Sequence, residues 1–226
     1  MAAHGRLTVA AILLAAGDGL RLGADVPKAF CEVGGLTLLE HALAPFIQHV
    51  AIRDVIVVAP AALAQRAAEL AAGQATVVIG GASRPASVRA GLSALAPDVD
   101  AVLVHDVARP FVPPAVLTRV IAALSAGAVA VVPAIAVTDT IKVVGLDATV
   151  LDTPDRSSLR AIQTPQGFRR DALDAAHAGL DDLVTDDAGL IERAGGAVVV
   201  VEGADEAFKI TRPWDLRIAA TLLSGR

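Results

Sequence analysis

"TVAAILLAAGDGLRLGADVPKAF", residues 8–30, is the stretch from which the fold can be read. It opens with a charge-free run from Thr8 to Ala15 that shows no polar alternation, which is how a strand covered on both faces reads. Gly17, Gly19 and Gly23 follow at once, with Arg21 and Lys28 beside them. A buried strand that runs into a cationic glycine loop brings backbone N–H groups and positive charge together, as a phosphate cradle requires. Spacing narrows the ligand. The glycines miss the dinucleotide spacing G-x-G-x-x-G by one residue, and the loop lacks the G-K-[ST] ending of a P-loop. Arg21 and the Pro27-Lys28 pair point to a triphosphate, against the plain alternative of a tight turn.

Outward from this stretch the same alternation repeats. "DVIVVA" (54–59), "ATVVI" (75–79), "AVLVHD" (101–106) and "AVAVVPAIAV" (128–137) read as strands buried on both faces, separated by helical patterns with proline near two starts and glycine at two ends. The expected architecture is α/β, a mainly parallel sheet with helices on both faces and ligands at the carboxyl ends of the strands. From 138 to 160 two short alternating runs flank "GLDA", which reads as a protruding β-arm too small to stand alone, and a second copy of the chain is the economical cover for it. The tail is expected to complete the same sheet, so that residues 1–226 form one domain.

Bulk properties exclude several classes. A net charge of −5 over 226 residues opposes general binding to nucleic acid or anionic membranes, which need a basic face. The single cysteine, Cys31, cannot form an internal disulfide and fits a reducing, cytoplasmic setting. Two apolar runs imitate targeting or membrane segments. The first, 7–17, passes straight into the glycine loop and is read as a strand; the second, 120–138, has no charge but is broken by Gly127 and Pro133.

Three lysines against sixteen arginines make each lysine informative, since this chain reaches for arginine by default. Lys28 and Lys209 stand in candidate site segments, where a compact point charge suits phosphate. "VLVHDVARP" (102–110) ends a buried strand in His105, Asp106 and Arg109. Asp106 can hold a divalent cation or a hydroxyl and Arg109 a phosphate, while His105 reads as a hydrogen-bonded packing residue. In "GGASRPASV" (80–88), Gly80 and Gly81 let a flat ring approach the backbone, and Ser87 is first an N-cap of the next helix, with a ligand contact as the alternative. Thr185 in "TDDAG" carries the same two readings. Lys209, between apolar neighbours on a short strand, reads as a buried lysine that needs an anionic partner, a phosphate ahead of a plain salt bridge.

Together "AAGDGLRLGADVPKAF", "GGASRPASV", "VLVHDVARP", "TDTIK", "QTPQGF", "TDDAG" and "FKITRP", in this order, resemble the 2-C-methyl-D-erythritol 4-phosphate cytidylyltransferases of the non-mevalonate isoprenoid pathway. The resemblance implies a Rossmann-like nucleotidyltransferase fold, a homodimer joined by the arm, CTP, and Mg²⁺ or another divalent cation at Asp106. It places CTP on Ala15, Ala16, Gly17, Gly19, Arg21, Lys28, Gly81, Ala82, Ser87 and Val107, alongside the Gly80 of the base loop. It gives the acceptor to Asp106, Arg109, Thr164, Thr185 and Lys209, with Thr140 and Arg156 from the partner's arm. Arg21, Lys28, Lys209 and Arg156 are the expected catalytic cations. Three positions depart from the family pattern: Ala82 where an acidic or polar residue is common, Val107 in place of a small residue, and Gly189 in place of serine. A ribitol 5-phosphate cytidylyltransferase is the near alternative, and an NAD(P)-dependent reductase the alternative from another class.

Overall fold

A computed structural model of the chain describes residues 7–17, 26–178 and 186–225. The apolar run of the opening stretch is β1 (Val9–Leu14), buried from Val9 to Leu13. A small hairpin of β2 (Glu32–Val33) and β3 (Leu36–Thr37) leads into α1 (Leu38–Gln48). Thr37 starts that helix with a reciprocal cap: its hydroxyl accepts from the Glu40 backbone N–H and the Glu40 carboxylate accepts from its own. Then come β4 (Ile52–Ala59), α2 (Ala64–Ala71), β5 (Thr76–Ile79), α3 (Arg84–Ser93), β6 (Ala101–Asp106), α4 (Pro114–Ser125) and β7 (Ala130–Ala136). The arm holds β8 (Val143–Val144) and β9 (Val150–Asp152). The chain closes with β10 (Arg160–Ile162), β11 (Gln166–Arg169), α5 (Arg170–Ala178), α6 (Asp187–Arg193), β12 (Val198–Glu202) and α7 (Pro213–Ser224).

Eight of these strands form one sheet. β6, β1, β4 and β5 are parallel neighbours in that order. β11 lies antiparallel between β6 and β7, β10 continues antiparallel along β7, and β12 pairs in parallel with the other edge of β7. The continuous apolar runs have a simple cause in the pleat. Val9, Ala11 and Leu13 of β1 pack into the core shared with α1, α2 and α4, while Ala10 and Ile12 pack into the core shared with α3, α5 and α6.

Two strand expectations need correction. β5 is an edge strand, with Thr76 and Ile79 exposed, so it is not covered on both faces; nothing in a short apolar run distinguishes edge from centre. The antiparallel β11 inserted between β6 and β7 was not anticipated either, because that pairing joins distant parts of the chain. The charge-free run 120–138 divides as expected. α4 stops at Ser125, Gly127 turns at φ +104° with its N–H on the Leu124 carbonyl, and β7 begins at Ala130. Among the described residues no helix is long and apolar enough to cross a membrane. The arm is a separate antiparallel hairpin, and Val143, Val144, Leu146, Val150 and Leu151 on it are exposed.

Candidate active site at the carboxyl ends of four strands

Four neighbouring strands end at one cleft of about 830 Å³, a size suited to a small-molecule ligand. β1 continues into Ala15, Ala16 and Gly17, β4 into Pro60 and Ala61, β5 into Gly80 to Ser83, and β6 into Val107 and Ala108. The turns leave the sheet without breaking its ladder at once: Ala15 N–H donates to the Val58 carbonyl, Gly80 N–H to Ala59 and Val107 N–H to Leu14, at 2.8, 2.8 and 3.2 Å.

At one end, glycine is obligatory on steric grounds. A Cβ on Gly80 would stand 2.8 Å from the Ala16 Cβ and 3.0 Å from the Ser87 Oγ, and one on Gly81 would run into the Ala86 Cβ. The first turn of α3 therefore sits directly on the loops that follow β1 and β5. The cap of α3 is Ser83, whose hydroxyl accepts from the Ala86 N–H at 3.2 Å, so the N-cap reading of Ser87 is overturned. Ser87 lies one turn inside the helix, 3 % exposed, and directs its hydroxyl towards the Gly81 carbonyl at 3.5 Å. Ala82 lines the cleft with a methyl group only. Val107 is 1 % exposed and packs into the core, so its extra bulk is accommodated there.

Charge gathers at the other end. Lys28, on a short 3-10 helix after Pro27, donates from Nζ to the Ile210 carbonyl at 2.8 Å. Lys209 Nζ lies 2.7 Å from Asp106 Oδ2; it is in an irregular segment, and its side chain is 42 % exposed, so neither the strand nor the burial expected of it is found, although the anionic partner is. Arg84, which the sequence reading passed over, lines the cleft with Nε 3.8 Å from Asp106 Oδ1. Burial pushes the Asp106 carboxyl up, but Lys209 and Arg84 outweigh it and hold the group below the usual carboxylate range.

Behind Asp106 is a buried support. His105 is fully buried, with its Nδ1 2.9 Å from Thr164 Oγ1 and its Nε2 3.1 Å from the Arg109 carbonyl. A carbonyl can only accept, so Nε2 carries the proton, and the Thr164 hydroxyl donates to Nδ1 while accepting from the Asp106 N–H at 3.1 Å. Burial pushes the imidazole down to about 4, which keeps it neutral near pH 7. His105 is thus the packing residue expected. Arg109 donates to the carbonyls of Ala207 and Ile162, at 2.8 and 3.1 Å, and burial lowers its pKa. Neither Arg109 nor Thr164 is among the residues lining the cleft.

The structure brings Ala15, Ala16, Gly17, Lys28, Gly80, Gly81, Ala82, Ser87, Asp106, Val107 and Lys209 to a single cavity. Thr140 and Arg156 lie on the arm, where Arg156 Nη1 donates to the Thr138 carbonyl at 2.8 Å, and they do not line this cleft. Gly19, Arg21 and Thr185 lie outside the described residues. Gly189 closes the cap of α6 by donating its N–H to Asp186 Oδ1 at 3.0 Å.

Residues 9–225 match the family model of 2-C-methyl-D-erythritol 4-phosphate cytidylyltransferase. The chain belongs to that family. A relative of that name from Rhodococcus opacus is 48 % identical over 98 % of this chain and 97 % of its own. The crystal structure of 2-C-methyl-D-erythritol 4-phosphate cytidylyltransferase from Thermus thermophilus covers 96 % of this chain and 100 % of its own, with 38 % identity and a TM-score of 0.78. The crystal structure of 4-diphosphocytidyl-2C-methyl-D-erythritol synthase from Anaerococcus prevotii covers 97 % and 100 %, with 31 % identity and a TM-score of 0.85. The cytidylyltransferase family fixes the reaction class as nucleotidyl transfer on a Rossmann-like nucleotidyltransferase fold, and the reductase alternative falls away.

Proposed function

We propose that the chain transfers the cytidylyl group of CTP to 2-C-methyl-D-erythritol 4-phosphate. The carrying observation is the single cleft that joins a glycine-lined end, at Gly80, Gly81 and Ser87, to a charged end, at Lys28, Asp106 and Lys209. Cytosine and ribose fit the first end, with Ala82 and Val107 offering backbone contacts. The triphosphate follows Ala15, Ala16 and Gly17 to Lys28, and the family resemblance adds Gly19 and Arg21 to its contacts. The acceptor lies against Asp106 and Lys209, and Arg109 and Thr164 act through the support they give Asp106; the family resemblance adds Thr185 to the acceptor's contacts.

An acceptor phosphate oxygen attacks the α-phosphorus, and the bond to the bridging oxygen breaks with its electron pair leaving on pyrophosphate. The attacking phosphate is already anionic, so no general base is required. The residues align two polyanions and neutralise charge growing on the α-phosphoryl oxygens and the leaving group. Among the described residues Asp106 is the only carboxylate lining the cleft, and no group of three or more candidate ligands is present. That donor set fits Mg²⁺ arriving with its nucleotide, since this ion takes one or two carboxylates and completes its shell with phosphates and water. Bound there, it would supply charge neutralisation at the phosphates.

The arm supports a homodimer. Its exposed Val143, Val144, Leu146, Val150 and Leu151 need a cover, and a two-fold pairing provides one while carrying Thr140 and Arg156 to the neighbour's site. We place the enzyme, one domain with its arm, in the cytoplasm, where the free, buried Cys31 stays reduced. The test is pyrophosphate release from CTP with each acceptor. Release that depends on methylerythritol phosphate is expected; release with ribitol 5-phosphate alone would overturn the acceptor assignment.

A further inference from the structure

A chain of ionisable side chains leaves the cleft and ends in the core. Lys209, Asp106, Arg84, Asp187 and His177 follow one another at 2.7, 3.8, 2.7 and 3.0 Å. Asp187 begins α6 and His177 lies in the last turn of α5; they are 1 % and 3 % exposed, and neither lines the cleft. Arg84 links the two halves. It is the first residue of α3, where the helix dipole opposes a cation, so its place there depends on the carboxylates on either side. The tighter hold is on the core side: Nη1 lies 2.7 Å from Asp187 Oδ2, against 3.8 Å from Nε to Asp106 Oδ1. The contact with Asp187 is a close ion pair and acts as a tether on Arg84.

The anchor of this tether is itself fixed. His177 Nε2–H donates to Asp187 Oδ1 at 3.0 Å. Gln166 of β11 donates to Asp186 Oδ2 at 2.8 Å and accepts from the Ala188 N–H at 3.3 Å, which pins the start of α6 to the sheet on both sides of Asp187. With its carboxylate bonded to His177 and its neighbours Asp186 and Ala188 bonded to Gln166, Asp187 is a fixed anchor, and Arg84 stays with it.

We propose that the buried Asp187–His177 pair is a positioning device for the transfer reaction: it holds Arg84 back from Asp106 and so leaves Asp106 to Lys209 and the acceptor. The inference rests on the function proposed above. Without the charge of Asp187, Arg84 closes the gap to Asp106, the carboxylate is neutralised by two cations, and its oxygens are withdrawn from the acceptor. CTP is affected less, because the glycine end of the cleft is built from backbone and from Ser87, one turn farther along α3.

Asp187→Asn keeps the shape and removes the charge. The expected result is a KM for methylerythritol phosphate raised about tenfold, the low end of what outer partners of a site residue cost, with the KM for CTP within about twofold. Adding Arg84→Gln to Asp187→Asn should lower the acceptor KM again, because the residue that sequesters Asp106 is gone; a purely structural role predicts no such rescue. If Asp187→Asn does not fold, His177→Leu carries the test, since it takes the fixing donor from Asp187 and lets the Asp187–Arg84 pair shift towards Asp106, and the same acceptor-specific rise, again relieved by Arg84→Gln, is expected. Unchanged acceptor KM, equal rises for both substrates, or a double variant worse than Asp187→Asn overturns the positioning role. Absence of acceptor-dependent turnover in the parent enzyme overturns the function itself, and this inference with it.

Discussion

Replacing Lys209 by alanine should cost turnover far more than stability. Its Nζ is 2.7 Å from Asp106 Oδ2, but the lysine side chain is 42 % exposed, so solvent screens the pair. Exposed ion pairs contribute about 0–1 kcal/mol, and Arg84 Nε remains 3.8 Å from the other oxygen of Asp106 to share its charge. A loss near 1 kcal/mol lowers the melting temperature by about 2–4 °C in a chain of this size. On the proposed mechanism the same ammonium faces developing phosphoryl charge in the transition state, where removal of one aimed donor costs about 10²- to 10³-fold in kcat, or about 2.7–4 kcal/mol. The acid limb supplies a second sign. Because Asp106 titrates below its unfolded value, it contributes stability above about pH 4 that is lost as pH falls through its folded pKa. Without Lys209, burial raises that folded pKa, so the variant should begin to lose stability at a higher pH than the parent. Pyrophosphate release and thermal melts from pH 3 to 8 measure both effects. A kcat within about threefold of the parent, together with a large fall in melting temperature, would falsify the catalytic assignment and leave Lys209 a structural partner of Asp106.

Three further outcomes are expected. His105 is pushed down to about 4 by burial, so the neutral ring contributes stability that is complete above about pH 6.5 and is lost as pH falls through about 4, roughly 3 kcal/mol in all; urea titrations should show His105→Gln with a flatter slope across that window, and equal slopes would deny the ring its buried, neutral state. Gly80→Ala forces a methyl against Ala16 and Ser87, so the KM for CTP should rise about tenfold or more while the acceptor KM stays within about threefold, and a normal CTP KM would remove this edge from the nucleotide site. Arg156→Ala and Lys28→Ala homodimers, each nearly inactive, should recover up to about half the parent activity per heterodimer after subunit exchange, by site counting for a two-fold dimer, and no recovery despite verified exchange withdraws Arg156 from the partner's site.

How far the sequence could carry the reading depends on how local each signal is. β1, β4 and β6 announce themselves because their burial on both faces is written in consecutive residues, and Ala15, Gly17, Gly80 and Asp106 follow as residues at or just beyond strand ends. β11 could not be read the same way: "QGFR" owes its place between β6 and β7 to partners distant in the chain, and no local pattern encodes an antiparallel insertion. The cap of α3 was misassigned for a smaller reason. Taking Ser87 as the cap sets the helix start too late, whereas Pro85 in the first turn is the available sign that it begins at Arg84 and that Ser83 is the cap. Arg84 had one local sign as well, a cation at a helix N-terminus, but its partner Asp187 comes from another element entirely.

The segment 207–210 explains why a reading from separate motifs converged on one site. Ala207 accepts from Arg109, Lys209 pairs with Asp106, the Ile210 carbonyl accepts from Lys28, and the Ile210 N–H donates to the Ala108 carbonyl at 2.8 Å. Three residues, through four contacts, thus fasten the cations of the first and last motifs to the end of β6. The energetic consequence concerns reorganisation. Cations already held near their working positions by carbonyls and one carboxylate need not be gathered when charge develops on the phosphates, and it is this prior alignment that makes an electrostatic site effective. On the proposed function, Lys28 exchanges or shares the Ile210 carbonyl to meet a triphosphate, and since a carbonyl holds an ammonium less strongly than a phosphate does, nucleotide binding would favour that exchange. On that reading the segment restrains its cations firmly enough to keep them in place and weakly enough to release them to substrate.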